Sequence, residues 1–251
     1  MRRIVSMHWN NIDPAVVEGQ RRVFDKLGYA LAQADATGTA HGTWIDGMLA
    51  AAQPDDVLLF VDIDAFAINR AVVERAFAAA ETGRIFGVAQ TANHLPDRDF
   101  IYAGPAFLCL SRRCWEAIGR PSATVDASND VGMRIGREAV AHGVSMELLY
   151  PNFVALPRWR LGGKGVTGYG TFYGEGSVFH LFEARRTNRA GLRQIFDYVV
   201  ERVVAGEEVD YVALHEQVRS ARFRLGGLGL YLKRRAAKTK RNTIRARGGK
   251  S

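Results

Sequence analysis

Apolar and polar positions along the first 150 residues follow two alternating periodicities. Short, nearly continuous apolar runs predict strands at 3–7, 29–34, 57–61, 85–89, 106–110 and 146–150. Between them, apolar residues at helical spacing and boundary residues predict helices near 14–27, 42–53, 73–80, 111–118 and 130–142. Repeated β-α units of this kind favour an α/β fold with an open, doubly wound, mostly parallel sheet.

Two segments carry the clearest local signals. Asp13-Pro14 offers an N-cap and a first-turn proline for the first helix, and Gly28 follows the last apolar position of that helix. The run VLLFV at 57–61 is apolar at every position, which predicts a strand that is buried on both faces of a parallel sheet.

The pattern changes after Pro151. A stretch rich in glycine and aromatic residues predicts a loop, and apolar residues in helical register predict a further helix at about 189–204. We therefore divide the chain into a catalytic-type domain at 1–185 and a C-terminal part at 186–251 that combines helices with a basic tail.

Charge is concentrated at the C-terminal end. The chain has a net charge of +8, and twelve Lys or Arg but no acidic residue follow Glu216, so residues 1–216 carry a net −4. Leucines and a tyrosine interleave these cations, a composition typical of segments that bind an anionic membrane surface. A solvated terminus explains the same composition equally well, and no motif for reading a specific nucleic acid is present.

Composition narrows the protein class. The chain is 47% hydrophobic and has only two cysteines, Cys109 and Cys114, which suits a reducing compartment and a packing role for both. No apolar run reaches 18 residues, and the first ten residues do not form a signal peptide. We expect a cytoplasmic protein, with the inner face of a membrane as its place of peripheral attachment.

Two acids follow the most apolar strand. Asp62 and Asp64 come directly after VLLFV, at the sheet edge where ligands collect in doubly wound folds. Residues i and i+2 of an extended chain point the same way, so both carboxylates can face one divalent cation. A carboxylate at a strand end also caps the following segment in many proteins, so the spacing alone leaves the question open.

Several segments in order resemble the nucleotide-sugar-dependent glycosyltransferases of the GT-A fold, over roughly residues 3–185. They are DDVLLFVDIDAF, YAGPAFLCLSRRCWEAIG, DASNDVGMRIGREAVAHG and GEGSVFHLF. The resemblance implies that Asp62 and Asp64 form the D-x-D motif that contacts Mn²⁺ or Mg²⁺ and the donor ribose. It also implies a metal-ligand role for His180, although a single histidine in an apolar segment is more often a core residue.

The same resemblance implies a catalytic base. Inverting members carry an acid at the start of the helix that begins near 130, which corresponds to Asp130. The family often has two adjacent acids where this chain has Asn129-Asp130, so Asp126 is a competing candidate. An acid at a helix start is also a common N-cap.

Resemblance further implies a nucleoside site at the ends of the first two strands. Asp35 matches an acid that accepts a hydrogen bond from a uracil-like base, and His8 and Trp9 are candidates to line or stack on that base. The glycine-rich segment 161–176 is expected to act as a lid in which Lys164 reaches phosphate. On the acceptor side the candidates are Tyr102 and Arg112.

These expectations favour a metal-dependent, inverting glycosyltransferase that uses a UDP-sugar and a saccharide, lipid-linked or other hydroxyl acceptor. Two alternatives stay open. One is a phosphatase or phosphotransferase of the haloacid dehalogenase type with Asp62 as nucleophile, although that motif usually lies near the N-terminus and continues with Gly-Thr. The other is a non-catalytic protein that binds nucleotide or nucleic acid.

Overall fold

The computed structural model describes residues 1–184 and 192–219, in which strands and helices alternate as in other α/β proteins. The strands are β1 (Arg2–His8), β2 (Leu31–Asp35), β3 (Val57–Val61), β4 (Ala65–Ala67), β5 (Ile85–Gln90), β6 (Tyr102–Ser111), β7 (Met146–Leu149), β8 (Pro151–Arg160), β9 (Val166–Tyr173) and β10 (Val178–His180). The helices are α1 (Pro14–Leu27), α2 (His41–Ala51), α3 (Arg70–Glu81), α4 (Arg112–Ala117), α5 (Met133–Ala141), α6 (Leu192–Ala205) and α7 (Tyr211–Arg219).

Six strands form a central sheet in the order β2-β1-β3-β6-β5-β7. All neighbours are parallel except β6, which runs antiparallel to β3 and to β5. The prediction of a mostly parallel, Rossmann-like sheet is confirmed. All five residues of β3 are buried, with Leu59 in one hydrophobic cluster and Leu58 and Phe60 in another, as expected for a strand covered on both faces.

The boundaries of α1 follow the predicted capping residues. The Asp13 side chain accepts a hydrogen bond from the Ala15 N–H, and Pro14 occupies the first turn. Gly28 ends the helix with a left-handed φ of 77°, and its N–H donates to carbonyl oxygens of the last turn.

A second sheet has antiparallel strands in the order β4-β10-β9-β8, and its strands β8, β9 and β10 occupy the region predicted as a loop. That prediction was wrong, because glycines in β9 hid the strand pattern. A Cβ on Gly168 would lie 2.0 Å from the Leu156 carbonyl oxygen, and Gly170 has a φ of 66°. The glycines are therefore needed for the strand to form. The segment predicted as a lid contains β9 and the turn that joins it to β8, with Lys164 in that turn.

Helix α6 packs against α1 and against the second sheet. Its Phe196 ring lies 5.5 Å from the Phe66 ring and 6.4 Å from the Phe179 ring, centroid to centroid. A Cβ on Gly19 of α1 would lie 2.8 Å from Phe196, so the small residue allows the two helices to approach. The described part of the helix predicted at 189–204 is thus α6, and it belongs to the same hydrophobic cluster as α1.

Two predictions fall outside the described residues. The domain boundary between 185 and 186 and most of the basic tail lie in residues 185–191 and 220–251. Among the helices in residues 1–184 and 192–219, none combines the length and the hydrophobicity that a membrane-spanning segment requires.

The start of α2 should tolerate no side chain at Gly42. A Cβ there would lie 2.4 Å from the Ala123 carbonyl oxygen, whereas Gly47 of the same helix has no atom within 4 Å. We expect Gly42→Ala to lower the free energy of unfolding by about 1–3 kcal/mol. The matched variant Gly47→Ala should raise it by about 0.5–1 kcal/mol. Urea unfolding of the three proteins measures both, and equal effects of the two substitutions would contradict the close approach.

Candidate metal centre and cavity

Asp62 and Asp64 lie in the short connection between β3 and β4, at the carboxyl edge of the central sheet. The buried side chain of Gln20 on α1 fixes this connection, because its amide nitrogen donates to the Asp62 carbonyl oxygen at 2.7 Å and to the Ala65 carbonyl oxygen at 2.8 Å. Gln33 on β2 donates in turn to the Gln20 side-chain oxygen at 3.0 Å. The backbone that carries both acids is therefore fixed from within the core.

The structure brings Asp62, Asp64 and His180 together. One ligand atom from each residue lies within 4.8 Å of the other two. His180 Nε2 is 3.4 Å from Asp64 Oδ1 and 4.0 Å from Asp62 Oδ2. Two carboxylates and an imidazole form a donor set that suits a divalent cation, and the imidazole favours Mn²⁺ over Mg²⁺. The three residues can hold such an ion.

Asp64 is buried yet ionised. Burial alone would raise the pKa of its carboxyl. The hydrogen bond from His180, together with the Ala184 N–H that donates to Asp64 Oδ2 at 3.0 Å, outweighs burial and lowers the pKa. The carboxylate is thus held in the form that binds a cation.

His180 is held by β10 and by the residues that follow it. The Phe182 ring stacks on the imidazole with 3.7 Å between centroids. Phe182 and Glu183 both have left-handed backbones, with φ of 64° and 56°. Non-glycine residues in this region carry strain that clusters at functional sites, and here the strained turn brings the Phe182 ring onto His180 and the Ala184 N–H onto Asp64. His180 Nδ1 is buried, with no hydrogen-bond partner among the described residues.

The three residues open into a cavity of about 310 Å³. The residues predicted from the sequence that line it are His8, Trp9, Asp62, Asp64, Asp130 and His180. The Trp9 ring is fixed in this wall because its indole N–H donates to the Thr39 carbonyl oxygen at 3.0 Å. One concave site therefore joins most of the predicted positions, although they come from distant parts of the chain.

Asp130 and Asp126 differ in what they contact. Asp130 precedes α5 without capping it, since the N-cap is Gly132 and no side chain caps that helix. The carboxylate of Asp126 accepts hydrogen bonds from the Ser128 and Asn129 N–H groups, from the Asn129 amide and from Arg134. These contacts lower the pKa of Asp126 to about 2. Asp126 fixes the loop, while Asp130 faces the cavity.

Five other residues with predicted functional roles do not line the cavity. Asp35 lies at the end of β2, where its carboxylate accepts from the Thr37 hydroxyl at 2.5 Å and from the Thr37 N–H at 3.0 Å. The cavity lining also lacks Asp126, Lys164, Tyr102 and Arg112. Tyr102 is fully buried, and Arg112 pairs with Glu116 and donates to the Leu49 carbonyl oxygen.

Three polar residues of the cavity were missed by sequence reasoning. They are His41, Gln90 and Glu183. His41 begins α2, and its Nε2 lies 3.4 Å from Asp62 Oδ1. Gln90 ends β5 at the same sheet edge, a position that could have identified it, whereas Glu183 lies in the strained turn that no sequence pattern marks.

The fold and the site together define a Rossmann-like α/β protein with a candidate metal centre. No family model matches the sequence, and no curated protein matches it. Among solved structures, the chain is similar to A197 from STIV, with a TM-score of 0.41 and 13% identity over 73% of this chain and 95% of that one. It is also similar to 4-diphosphocytidyl-2C-methyl-D-erythritol synthase from Anaerococcus prevotii, with a TM-score of 0.37 and 11% identity over 59% and 87%. Likenesses this distant leave function to the geometry of the site.

The low pKa of Asp126 predicts a pH-dependent contribution to stability. Because its carboxyl pKa is about 2 in the folded protein and 3.8 ordinarily, the ionised form favours folding above about pH 4, and this contribution is lost as the pH falls toward 2. Wild type should therefore be more stable than Asp126→Asn near neutral pH, and the difference should shrink in acid. Urea unfolding of both proteins across this range measures it; a difference that stays constant would contradict the assignment.

Proposed function

We propose that this protein is a metal-dependent glycosyltransferase that moves a sugar from a nucleotide-sugar donor, a UDP-sugar, to a hydroxyl group with inversion. The observation that carries the proposal is the convergence of Asp62, Asp64 and His180 in one cavity with Asp130. Ligands for a cation and a separate carboxylate are the two requirements of this chemistry. The acceptor is a saccharide, a lipid-linked molecule or another hydroxyl compound.

The metal ligands would be Asp62, Asp64 and His180, with Mn²⁺ or Mg²⁺ as the ion. When bound, the cation supplies positive charge that offsets the charge developing on the departing diphosphate. Trp9 and His8, in the wall of the same cavity, would contact the nucleoside. A flat aromatic ring that is already fixed by a hydrogen bond loses little entropy when a base stacks on it.

Asp130 would act as general base. Its side chain accepts a hydrogen bond at 2.8 Å from the neighbouring Val131 N–H, and it lines the cavity together with the metal ligands. As the acceptor oxygen attacks the anomeric carbon from the side opposite the nucleotide, the hydroxyl proton passes to the Asp130 carboxylate. The bond from the anomeric carbon to the diphosphate breaks, and the nucleoside diphosphate leaves.

A product assay separates this proposal from its alternatives. Incubating the protein with Mn²⁺, an acceptor mixture and individual nucleotide sugars should release nucleoside diphosphate together with a glycosylated product, detected by mass spectrometry. Release of inorganic phosphate from phosphate esters would favour a phosphatase, and release of pyrophosphate from nucleoside triphosphates would favour nucleotidyl transfer. Nucleotide binding with no turnover would favour a non-catalytic protein.

The metal ligands give a direct test. Asp62→Asn and Asp64→Asn keep the side-chain shape but remove charge, so we expect sugar transfer to collapse and the stabilisation by Mn²⁺ in thermal denaturation to be lost. Asp55→Asn is the matched control, because Asp55 is exposed just before the start of β3, at the opposite end from the site. Full turnover of both site variants, or of wild type in excess chelator, would refute the metal role.

The base gives a second test. Asp130→Asn should lower kcat by about two to four orders of magnitude, because the acceptor proton then has no strong acceptor. The Kd for the nucleoside diphosphate, measured by calorimetry, should stay nearly unchanged. A variant with normal kcat would show that Asp130 takes no part in proton transfer.

A further inference from the structure

Each acid of the metal centre turns one carboxylate oxygen toward His180, while its other oxygen meets a second group. Asp64 Oδ1 lies 3.4 Å from His180 Nε2, and Asp64 Oδ2 accepts a hydrogen bond from the Ala184 N–H at 3.0 Å. Asp62 Oδ2 lies 4.0 Å from His180 Nε2, and Asp62 Oδ1 lies 3.4 Å from His41 Nε2. The two carboxylates are thus arranged in the same way. In each, one oxygen faces His180 and the other lies near a nitrogen of a second residue.

We propose that His41 is a positioning residue that holds the Asp62 carboxylate in the orientation needed to bind the metal ion. The inference rests on the metal site of the proposed function and adds a residue that the D-x-D spacing does not include. In metal sites, carboxylate ligands are themselves held by outer hydrogen-bond partners, whose loss typically lowers metal affinity or activity by about 10- to 100-fold.

The position of His41 is fixed by its helix. His41 is the first residue of α2, and Gly42 lets that end of the helix approach the Ala123 carbonyl, where a Cβ would lie 2.4 Å from the oxygen. Asp46 binds the same segment through the Ser122 hydroxyl at 2.6 Å and the Ala123 N–H at 2.7 Å. The imidazole is therefore attached to a rigid element at the cavity wall.

The Asp62 carboxylate is less enclosed than the Asp64 carboxylate. The side chain of Asp62 is 24% exposed, against 10% for Asp64, so packing restricts the rotation of its carboxylate less. The separation of 3.4 Å between His41 Nε2 and Asp62 Oδ1 is longer than the usual range of about 2.7–3.2 Å. We expect this contact to shorten when Asp62 binds the ion.

The competing explanation is that His41 binds the metal ion directly. The number of imidazole nitrogens bound to the ion distinguishes this explanation from a positioning role. If His41 positions Asp62, the bound ion has one imidazole ligand, His180. If His41 binds the ion, there are two. Pulsed electron paramagnetic resonance of bound Mn²⁺ detects coupled imidazole nitrogens and therefore reports this difference without any turnover.

The experiment measures Mn²⁺ affinity by electron paramagnetic resonance for wild type, His41→Ala and His41→Gln. We expect His41→Ala to bind Mn²⁺ about 10- to 100-fold more weakly, with its single nitrogen coupling unchanged. His41→Gln offers an amide N–H at a similar reach and should recover most of the affinity. His94→Ala is the matched control, because His94 is an exposed residue outside the cavity lining, and it should bind Mn²⁺ as wild type does.

Three results would overturn the inference. They are an affinity of His41→Ala within about twofold of wild type, the loss of one of two nitrogen couplings in that variant, and a His41→Gln protein as weak as His41→Ala. Measuring below the thermal transition of each variant ensures that only folded protein is compared. The expected affinities combined with no sugar transfer by wild type from any donor would leave the role of His41 standing and reject the glycosyltransferase proposal.

Discussion

Burial of the Asp64 carboxylate is the constraint on which the arrangement of this protein depends. A carboxylate removed from water is costly unless charges and hydrogen bonds compensate it. Compensation comes from the second sheet and its extension: His180 approaches one oxygen, the Ala184 N–H binds the other, and the Leu181 N–H donates to the Asp64 carbonyl oxygen at 2.9 Å. The candidate metal centre therefore also lies where the two sheets are connected.

Aromatic packing in the core stabilises this connection between the two sheets. Phe66 and Phe179 lie on paired strands β4 and β10, with ring centroids 5.1 Å apart, and Phe196 of α6 closes the group. Phe179 is adjacent to His180, and neighbouring residues of a strand point to opposite faces. Packing the Phe179 ring into the core thus sets the imidazole toward the cavity, so α6, which contacts that ring, contributes to the site without entering it.

Polar residues in and near the site differ in what their hydrogen bonds do. Gln20, Asp126 and, by our inference, His41 hold other groups in place, whereas Asp130 faces open space. Among acids that are close in sequence, contacts decide which one is available to a substrate. This is why we propose different roles for Asp126 and Asp130, which are four residues apart and alike in type.

The sequence by itself determined the central sheet and the position of the two acids. Apolar periodicity and caps are local properties, so β3, α1 and the end of the strand at Asp62 could be read from neighbouring residues. The second sheet could not, because its glycines serve close backbone contacts between β8 and β9 that only pairing creates. The same holds for His41 and Glu183, which share a cavity with Asp62 although they lie 21 and 121 positions from it in the chain. Which polar side chains meet at a site depends on how elements pack over long sequence separations, and the tertiary structure alone decided that.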